Sequence, residues 1–240
     1  MNQDMIDIQP LGESAISISF GHTVSLDIHH HVRALGEYIE EHPCPGLKEY
    51  ILSYTSVTLM YDIEAVLDGH DDAQLAAAVM TAYARDAVAH LDKETLPPPA
   101  VVTIPVCYGG SFGPDLEFVA QSHDMTPEEV IAIHTKNEYT VYMIGFCPGF
   151  PYLGGLDERI ATPRRSSPRV TIPARSVGIA GMQTGVYPLS TPGGWQLIGR
   201  SAIELFTPDK DTPSLLKAGD LVRFKSITEK EYKQIRGDAE

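Results

Sequence analysis

From Ile144 to Arg200 the chain carries ten of its 20 glycines and seven of its 18 prolines, a density that no long helix can absorb. Short apolar runs sit between these breakers and beyond them: Val170 to Ile172, Val177 to Ala180, Trp195 to Ile198, Ile203 to Phe206 and Leu221 to Phe224. Short strands with frequent turns predict a β-barrel or sandwich with long shaped loops.

The first half reads differently. Ile6 to Pro10 and Ala15 to Phe20 are expected as strands joined at Gly12. Ile28, Val32, Leu35 and Ile39 recur at helical spacing and predict an amphipathic helix over Leu26 to Glu41, which Pro43-Cys44-Pro45-Gly46 ends. Tyr50 to Tyr54 and Val57 to Tyr61 read as two more strands. A second helix follows, with Leu75, Val79, Tyr83, Ala87 and Leu91 expected on its inner face. This order predicts a small α+β sandwich, ferredoxin-like in its layout. Leu96-Pro97-Pro98-Pro99 is stiff extended chain and marks the boundary between domains 1–96 and 97–240. Val101 to Val106 is a strand that either opens the second domain or completes the first sheet. Pro114 to Ser122 reads as helical. Thr126-Pro127-Glu128-Glu129 joins a capping box to a proline at the first helical position, so a helix should run to about His134. Arg236 to Glu240 read as a frayed end.

Charge narrows the function. The net charge of −14 disfavours nucleic acid and anionic lipid as partners. It is unevenly spread: residues 144–200 hold six arginines, no lysine and two acids, Asp157 and Glu158, so this window is net +4 and the rest of the chain −18. Guanidinium forks grip carboxylate or phosphate through two bonds, or tie down loops by holding protein oxygens. No basic leader or membrane-length apolar run is present. Cys44, Cys107 and Cys147 form neither a metal pair nor a disulfide framework, which fits a cytoplasmic protein.

Several chemistries lack their parts. There is no GxxxxGK[ST] phosphate loop, and Gly178, Gly181 and Gly185 do not make GxGxxG, so the chain is not expected to hold ATP or another cofactor by itself. His29-His30-His31 cannot converge on one metal, because adjacent side chains on a helix diverge by about 100°. Ala174-Arg175-Ser176-Val177-Gly178 has the outline of a nucleophile elbow, but Ile179-Ala180-Gly181 reads as strand and turn where that motif needs a helix. No histidine lies in 144–200 to serve Ser176. Cys147 is expected buried between aromatics and unreactive. What remains is a constellation suited to a small anion. Phe150, Tyr152, Tyr187 and Trp195 offer flat walls, Gln183 an amide, and Arg164, Arg169 and Arg200 anion forks. Asp157 could orient an arginine or move a proton, and glycines at 149, 154, 155, 193 and 194 let backbone approach a ligand.

Three strings are specific together: Ile144-Gly145-Phe146-Cys147-Pro148-Gly149-Phe150-Pro151-Tyr152-Leu153; Pro163-Arg164-Arg165 through Pro168-Arg169 to Ile172-Pro173-Ala174; and Gly181-Met182-Gln183-Thr184-Gly185-Val186-Tyr187-Pro188 leading to Pro192-Gly193-Gly194-Trp195-Gln196-Leu197-Ile198-Gly199-Arg200. They resemble the signature of the KipI family, also called allophanate hydrolase subunit 1. Pro105 to Gly110 and Gly113-Pro114-Asp115-Leu116 match its preceding segment. The resemblance implies a smaller α+β domain followed by a cyclophilin-like β-barrel. It implies one component of an ATP-dependent 5-oxoprolinase, which opens 5-oxoproline to glutamate with further subunits A and C and uses ATP in the assembled complex. Some relatives inhibit a sporulation histidine kinase instead, and others belong to the carboxyltransferase part of urea carboxylase. One departure is visible: the family's Pro-Ala-Gly-Ser-Val reads Pro173-Ala174-Arg175-Ser176-Val177 here. A non-glycine backbone is expected at Arg175, with its side chain over the groove beside Gln183 and Tyr187, where it would modify substrate binding.

Overall fold

A computed structural model of the chain describes residues 6–69, 71–91, 96 and 98–237. It separates into two compact units, Met1–Pro98 and Pro99–Glu240. Pro97, within the expected linker, and residues 238–240 of the expected frayed end lie outside the described residues.

In the first unit, β1 (Asp7–Pro10) and β2 (Ala15–Ser19) form a hairpin that turns at Gly12, whose φ of 68° suits a glycine. Helix α1 (Leu26–Glu41) starts at Ser25, whose side chain accepts the Ile28 N–H. Strands β3 (Leu47–Leu52) and β4 (Ser56–Tyr61), the short α2 (Ile63–Val66) and α3 (Ala73–His90) follow. The antiparallel sheet runs β1-β2-β4-β3. The expected α+β sandwich is therefore present. Its chain order, ββα twice apart from the single turn of α2, is the ferredoxin-like βαββαβ order with the last strand moved to the front. Ile16, Ile18, Val57 and Leu59 from the sheet meet Val32, Leu35 and Ile39 of α1 in the core. The inner face of α3 differs in part from the expected one. Ala87 and Leu91 are buried as expected, together with Ala76, Met80 and Ala84, whereas Leu75 and Val79 are 52% and 39% exposed. Small side chains let the helix lie close to the sheet, and that stripe wins over the bulkier one beside it.

In the second unit, β5 (Val101–Tyr108) belongs to the barrel. After α4 (Leu116–Ser122) and α5 (Pro127–Lys136) come β6 (Glu138–Ile144) and β7 (Pro151–Gly154). Then follow a 3₁₀ turn (Glu158–Ile160), β8 (Arg169–Ile172), β9 (Ser176–Ala180), β10 (Gln183–Val186), β11 (Thr191–Gly193), β12 (Gln196–Ser201), β13 (Leu221–Ser226) and α6 (Glu229–Arg236). The barrel closes in the order β10-β7-β6-β13-β5-β12-β9, while β8 and β11 pair as a separate ribbon. Among the described residues only β13 and β5 pair in parallel, from Leu221 beside Val101 to Ser226 beside Val106. Ile203 to Phe206 is not a strand; only Phe206 bridges, to Ser214. Arg236 is not frayed but ends a helix that has a capping box at Thr228 and Glu231 and a left-handed Gly237 after it.

The barrel interior holds one polar chain. The Tyr108 hydroxyl lies 2.8 Å from His134 Nδ1, His134 Nε2 lies 2.9 Å from Thr184 Oγ1, and Thr184 donates to the Gly178 carbonyl at 3.0 Å. Because the Thr184 proton is committed to Gly178, Nε2–H donates to Thr184. Burial depresses the His134 pKa to about 3 and keeps the ring neutral, so Nδ1 accepts from the Tyr108 hydroxyl. Among the described residues no helix is long and apolar enough to cross a membrane.

Candidate functional site: an aromatic cup beside an arginine knot

The β6–β7 turn is shaped by two left-handed residues, Phe146 and Gly149. A Cβ on Gly149 would stand 2.8 Å from Phe206 Cβ and 3.1 Å from the Leu205 carbonyl oxygen, so glycine is required there twice over. The turn leaves the Phe146 ring 63% exposed and delivers Phe150 to the interior. Phe150 meets Tyr152, Tyr187 and Trp195 edge to face, with ring centroids 5.1, 5.3 and 5.6 Å away. Space for these rings comes from missing side chains. A Cβ on Gly185 would press on Trp195 and Phe150 at 3.1 and 3.2 Å, and one on Gly193 would meet the Tyr187 hydroxyl at 2.7 Å.

The rings enclose a cavity of about 130 Å³ lined by Phe146, Phe150, Tyr152, Arg164, Tyr187 and Trp195, with backbone at Pro192, Gly193 and Gly194. A cavity of roughly 150 Å³ accepts a benzene-sized ring. Phe150, Tyr187 and Trp195 are almost wholly buried and form the floor; Phe146 and Arg164 are exposed at the lip. Arg164 forms no ion pair among the described residues. Burial raises the Tyr187 pKa to about 12 even with Arg164 pulling the other way, so at neutral pH its hydroxyl keeps its proton and can donate. Burial also raises the pKa of Cys147, packed against the same cluster, which is the environment of an inert thiol.

Five of the eight residues expected to contact an anion thus line one cup: Phe150, Tyr152, Arg164, Tyr187 and Trp195. The other three do not. Arg169 spends its fork on Asp115, with Nη1 and Nη2 each 2.8 Å from a carboxylate oxygen. Arg200 lies over the Phe112 ring at 5.9 Å, on a strand between Cys107 and Ser176. Gln183 opens β10 opposite Ala180 and is not part of the cup wall.

Arg175 corrects a sequence expectation in both respects. Its φ is 67°, so it keeps the left-handed backbone that suits glycine. Its side chain runs not over the groove but to Glu204, 2.7 Å away, which Arg236 also holds at 2.7 Å. Asp157 is likewise placed away from the cup. It caps the 3₁₀ turn and holds Arg159, whose hydrogen bonds draw its pKa down to about 2. A carboxylate that stays ionised at neutral pH is a poor proton donor. Ser176 lies buried in β9 with its hydroxyl donated to the Pro173 carbonyl, without a histidine base.

Sequence reasoning missed Asp115. Only 5% exposed, it accepts from Arg165 at 3.1 Å, from both Arg169 nitrogens and from the Leu197 N–H at 2.7 Å. This knot ties the loop carrying Arg164 to the strand that follows Trp195. The signal was the imbalance itself: an arginine-rich window with two acids demands carboxylates from outside, and Asp115 and Glu204 flank it on either side.

Comparison with known proteins places this architecture. Residues 6–216 match the carboxyltransferase domain, subdomain C and D. The B subunit of the 5-oxoprolinase of Bacillus subtilis (strain 168) is 51% identical over 228 residues, which cover 94% of each chain. The crystal structure of TTHA0988 matches 89% of this chain with a TM-score of 0.77 and 36% identity, and this chain spans 40% of that longer one. The conserved uncharacterized protein PH0987 of Pyrococcus horikoshii is 43% identical across 94% of this chain and 100% of its own, with a TM-score of 0.54. The motif resemblance and the barrel thus lead to one assignment: the chain belongs to the family of carboxyltransferase subdomains C and D, together with the B subunit of 5-oxoprolinase.

Proposed function

We propose that this chain is the B subunit of a heteromeric, ATP-using 5-oxoprolinase, and that its aromatic cup receives the cyclic amide while subunits A and C complete the site. The observation that carries the reading is the cup itself: about 130 Å³ of aromatic wall with an uncompensated guanidinium at its lip. 5-Oxoproline has a small flat ring for such walls, a carboxylate for Arg164, and a lactam oxygen that the protonated Tyr187 hydroxyl can meet. The relationship to the B subunit of a 5-oxoprolinase over almost the whole chain supports the same activity. The sequence carries no phosphate loop, which fits a chain that supplies one part of a shared site.

The test is reconstitution. Purified chain alone should show no 5-oxoproline-dependent ATP hydrolysis, and adding subunits A and C should create it. Robust activity from this chain alone would sink the shared-site reading. Full activity of the assembly with Tyr187→Phe and Phe146→Ala together would move the cyclic amide out of the cup.

A further inference from the structure

Beside the cup lies a second cavity of about 440 Å³, and the two share Arg164 in their walls. Its remaining walls include Asp115, Arg165, Ser166, Gln196 and Ser122, whose hydroxyl donates to the Phe118 carbonyl at 2.7 Å. Its charge is unbalanced. Asp115 is the sole carboxylate among the lining residues and is shared by Arg165 and the bidentate Arg169, so with Arg164 three guanidiniums stand against one carboxylate. Gln196 is 3% exposed; its amide donates to the Pro163 carbonyl at 2.9 Å, but its own oxygen is buried with no donor facing it. Such an atom costs free energy unless a ligand supplies an O–H or N–H.

We propose that this cavity binds a phosphoryl group, placing it next to whatever occupies the cup. A carboxylate presents two coplanar oxygens and is served by one fork. Here the Arg164 and Arg165 guanidiniums and the Ser166 hydroxyl offer more donors than one carboxylate fork requires, which suits a tetrahedral oxyanion. Hydrogen phosphate, or a phosphate ester with neighbouring hydroxyls, also carries the donor that Gln196 lacks. The volume exceeds that of phosphate alone and leaves room for the molecule it belongs to. The proposal rests on the proposed function only in what it says the neighbour is; phosphate binding itself belongs to this chain.

Calorimetric titration of the whole purified chain with inorganic phosphate and with ADP, in a chloride buffer, tests it. Saturable one-site binding is expected. Ser166→Asp puts a carboxylate into this cavity and not the cup, and should weaken binding at least tenfold; Ser122→Asp does the same from the end of α4, should the first variant fold poorly. Arg164→Gln should weaken it similarly, and Arg223→Gln, a surface arginine paired with Glu138, should not. ADP binding more tightly than phosphate would identify a nucleotide as the source, and the reverse order a free phosphate; either supports a phosphoryl site. Absence of saturable binding to both, or binding that survives the aspartate substitutions in folded protein, would overturn the assignment. So would loss of binding in Phe146→Ala, whose ring borders only the cup. If phosphate binds as described while the assembly shows no 5-oxoproline-dependent ATP hydrolysis, the cyclic-amide reading fails and this one stands.

Discussion

Inside the second unit, Asp115 and His134 have their hydrogen bonds complete; at the mouth of the cup Arg164 and Tyr187 do not. Asp115 receives four hydrogen bonds, and His134 uses both ring nitrogens in a chain that ends on a backbone carbonyl. Arg164, beside Arg165 in the loop before β8, has no carboxylate partner among the described residues, and the Tyr187 hydroxyl borders the cavity. Residue type does not separate the two environments, since arginine occurs in both. Partnering does: a group whose bonds are complete holds the fold, and a group left open beside a cavity is available to a ligand.

The sharpest way to break this contrast is to remove the centre of the knot. Asp115→Ala leaves two part-buried guanidiniums and the Leu197 N–H without an acceptor. Breaking such a pair on one side costs about 3–5 kcal/mol when fully buried; with Arg165 and Arg169 partly exposed, about 3 kcal/mol is expected. Urea unfolding would read it as a lower midpoint at constant slope. A loss below about 1 kcal/mol would mean that the knot is not what holds the loop.

Acid should attack the interior before the lip. His134 is neutral in the fold with a pKa near 3, whereas an exposed histidine titrates near 6.5. The unfolded chain therefore takes up a proton that the folded chain refuses. This contribution to stability is complete above about pH 6.5 and is lost as the pH falls toward 3, with a slope approaching ~1.4 kcal/mol per pH unit. At pH 5 the loss amounts to about 2 kcal/mol, before most carboxylates protonate. Unfolding free energies measured between pH 7 and 5 should fall accordingly, and the slope should flatten in His134→Gln. An unchanged slope in that variant would assign the acid sensitivity elsewhere.

At the lip the signature should invert, with function lost and stability kept. Arg164→Gln removes an exposed guanidinium that pairs with no acid, so unfolding should change by no more than about 0.5 kcal/mol. Turnover per KM in the reconstituted assembly should fall tenfold or more, equivalent to about 1.5–3 kcal/mol for a charged hydrogen bond. Normal kinetics in this variant would make Arg164 a surface residue.

How much of this was legible beforehand follows the range of each interaction. Local signals were readable: the α1 stripe, the capping box at Thr126, and the glycine-rich loops that shape the cup. Even α6 had a local signal in Thr228, Glu231 and Gly237, but only Tyr232 is buried in it, and hydrophobic periodicity is blind to so polar a helix. The short β11, Thr191-Pro192-Gly193, is built from turn formers and pairs only because β8 lies opposite. Long-range pairings were hidden. Nothing local announces that Val101 lies beside Leu221, or that Arg169 finds its acid at Asp115 rather than on a ligand. The aromatics of the cup emerged from the sequence because they are few and clustered; the arginines did not sort themselves, because the carboxylates that hold Arg165, Arg169 and Arg175 lie outside the window that made them conspicuous.

Arg175 is the residue on which the two environments can be told apart with the smallest effect. It sits within reach of the cup by backbone, donating its N–H to the Tyr187 carbonyl at 2.5 Å, yet its side chain is paired with an acid, Glu204. Arg175→Gly would remove two unfavourable features, a left-handed backbone that costs a non-glycine residue about 1 kcal/mol and a buried Nε with no partner. It would also remove one favourable feature, an ion pair whose acid remains held by Arg236 and which is worth at most about 1 kcal/mol. These nearly cancel, so unfolding should shift by less than about 1 kcal/mol, toward greater stability if either way. Arg175→Ala keeps the strained backbone while losing the pair, and should fall below the glycine variant by about 1 kcal/mol. Neither change should alter the KM of the assembly for 5-oxoproline, because no part of the side chain lines the cup. A shift of threefold or more in KM, with the same fold, would return Arg175 to the open class and show that partnering in the free chain does not decide which arginines meet the ligand.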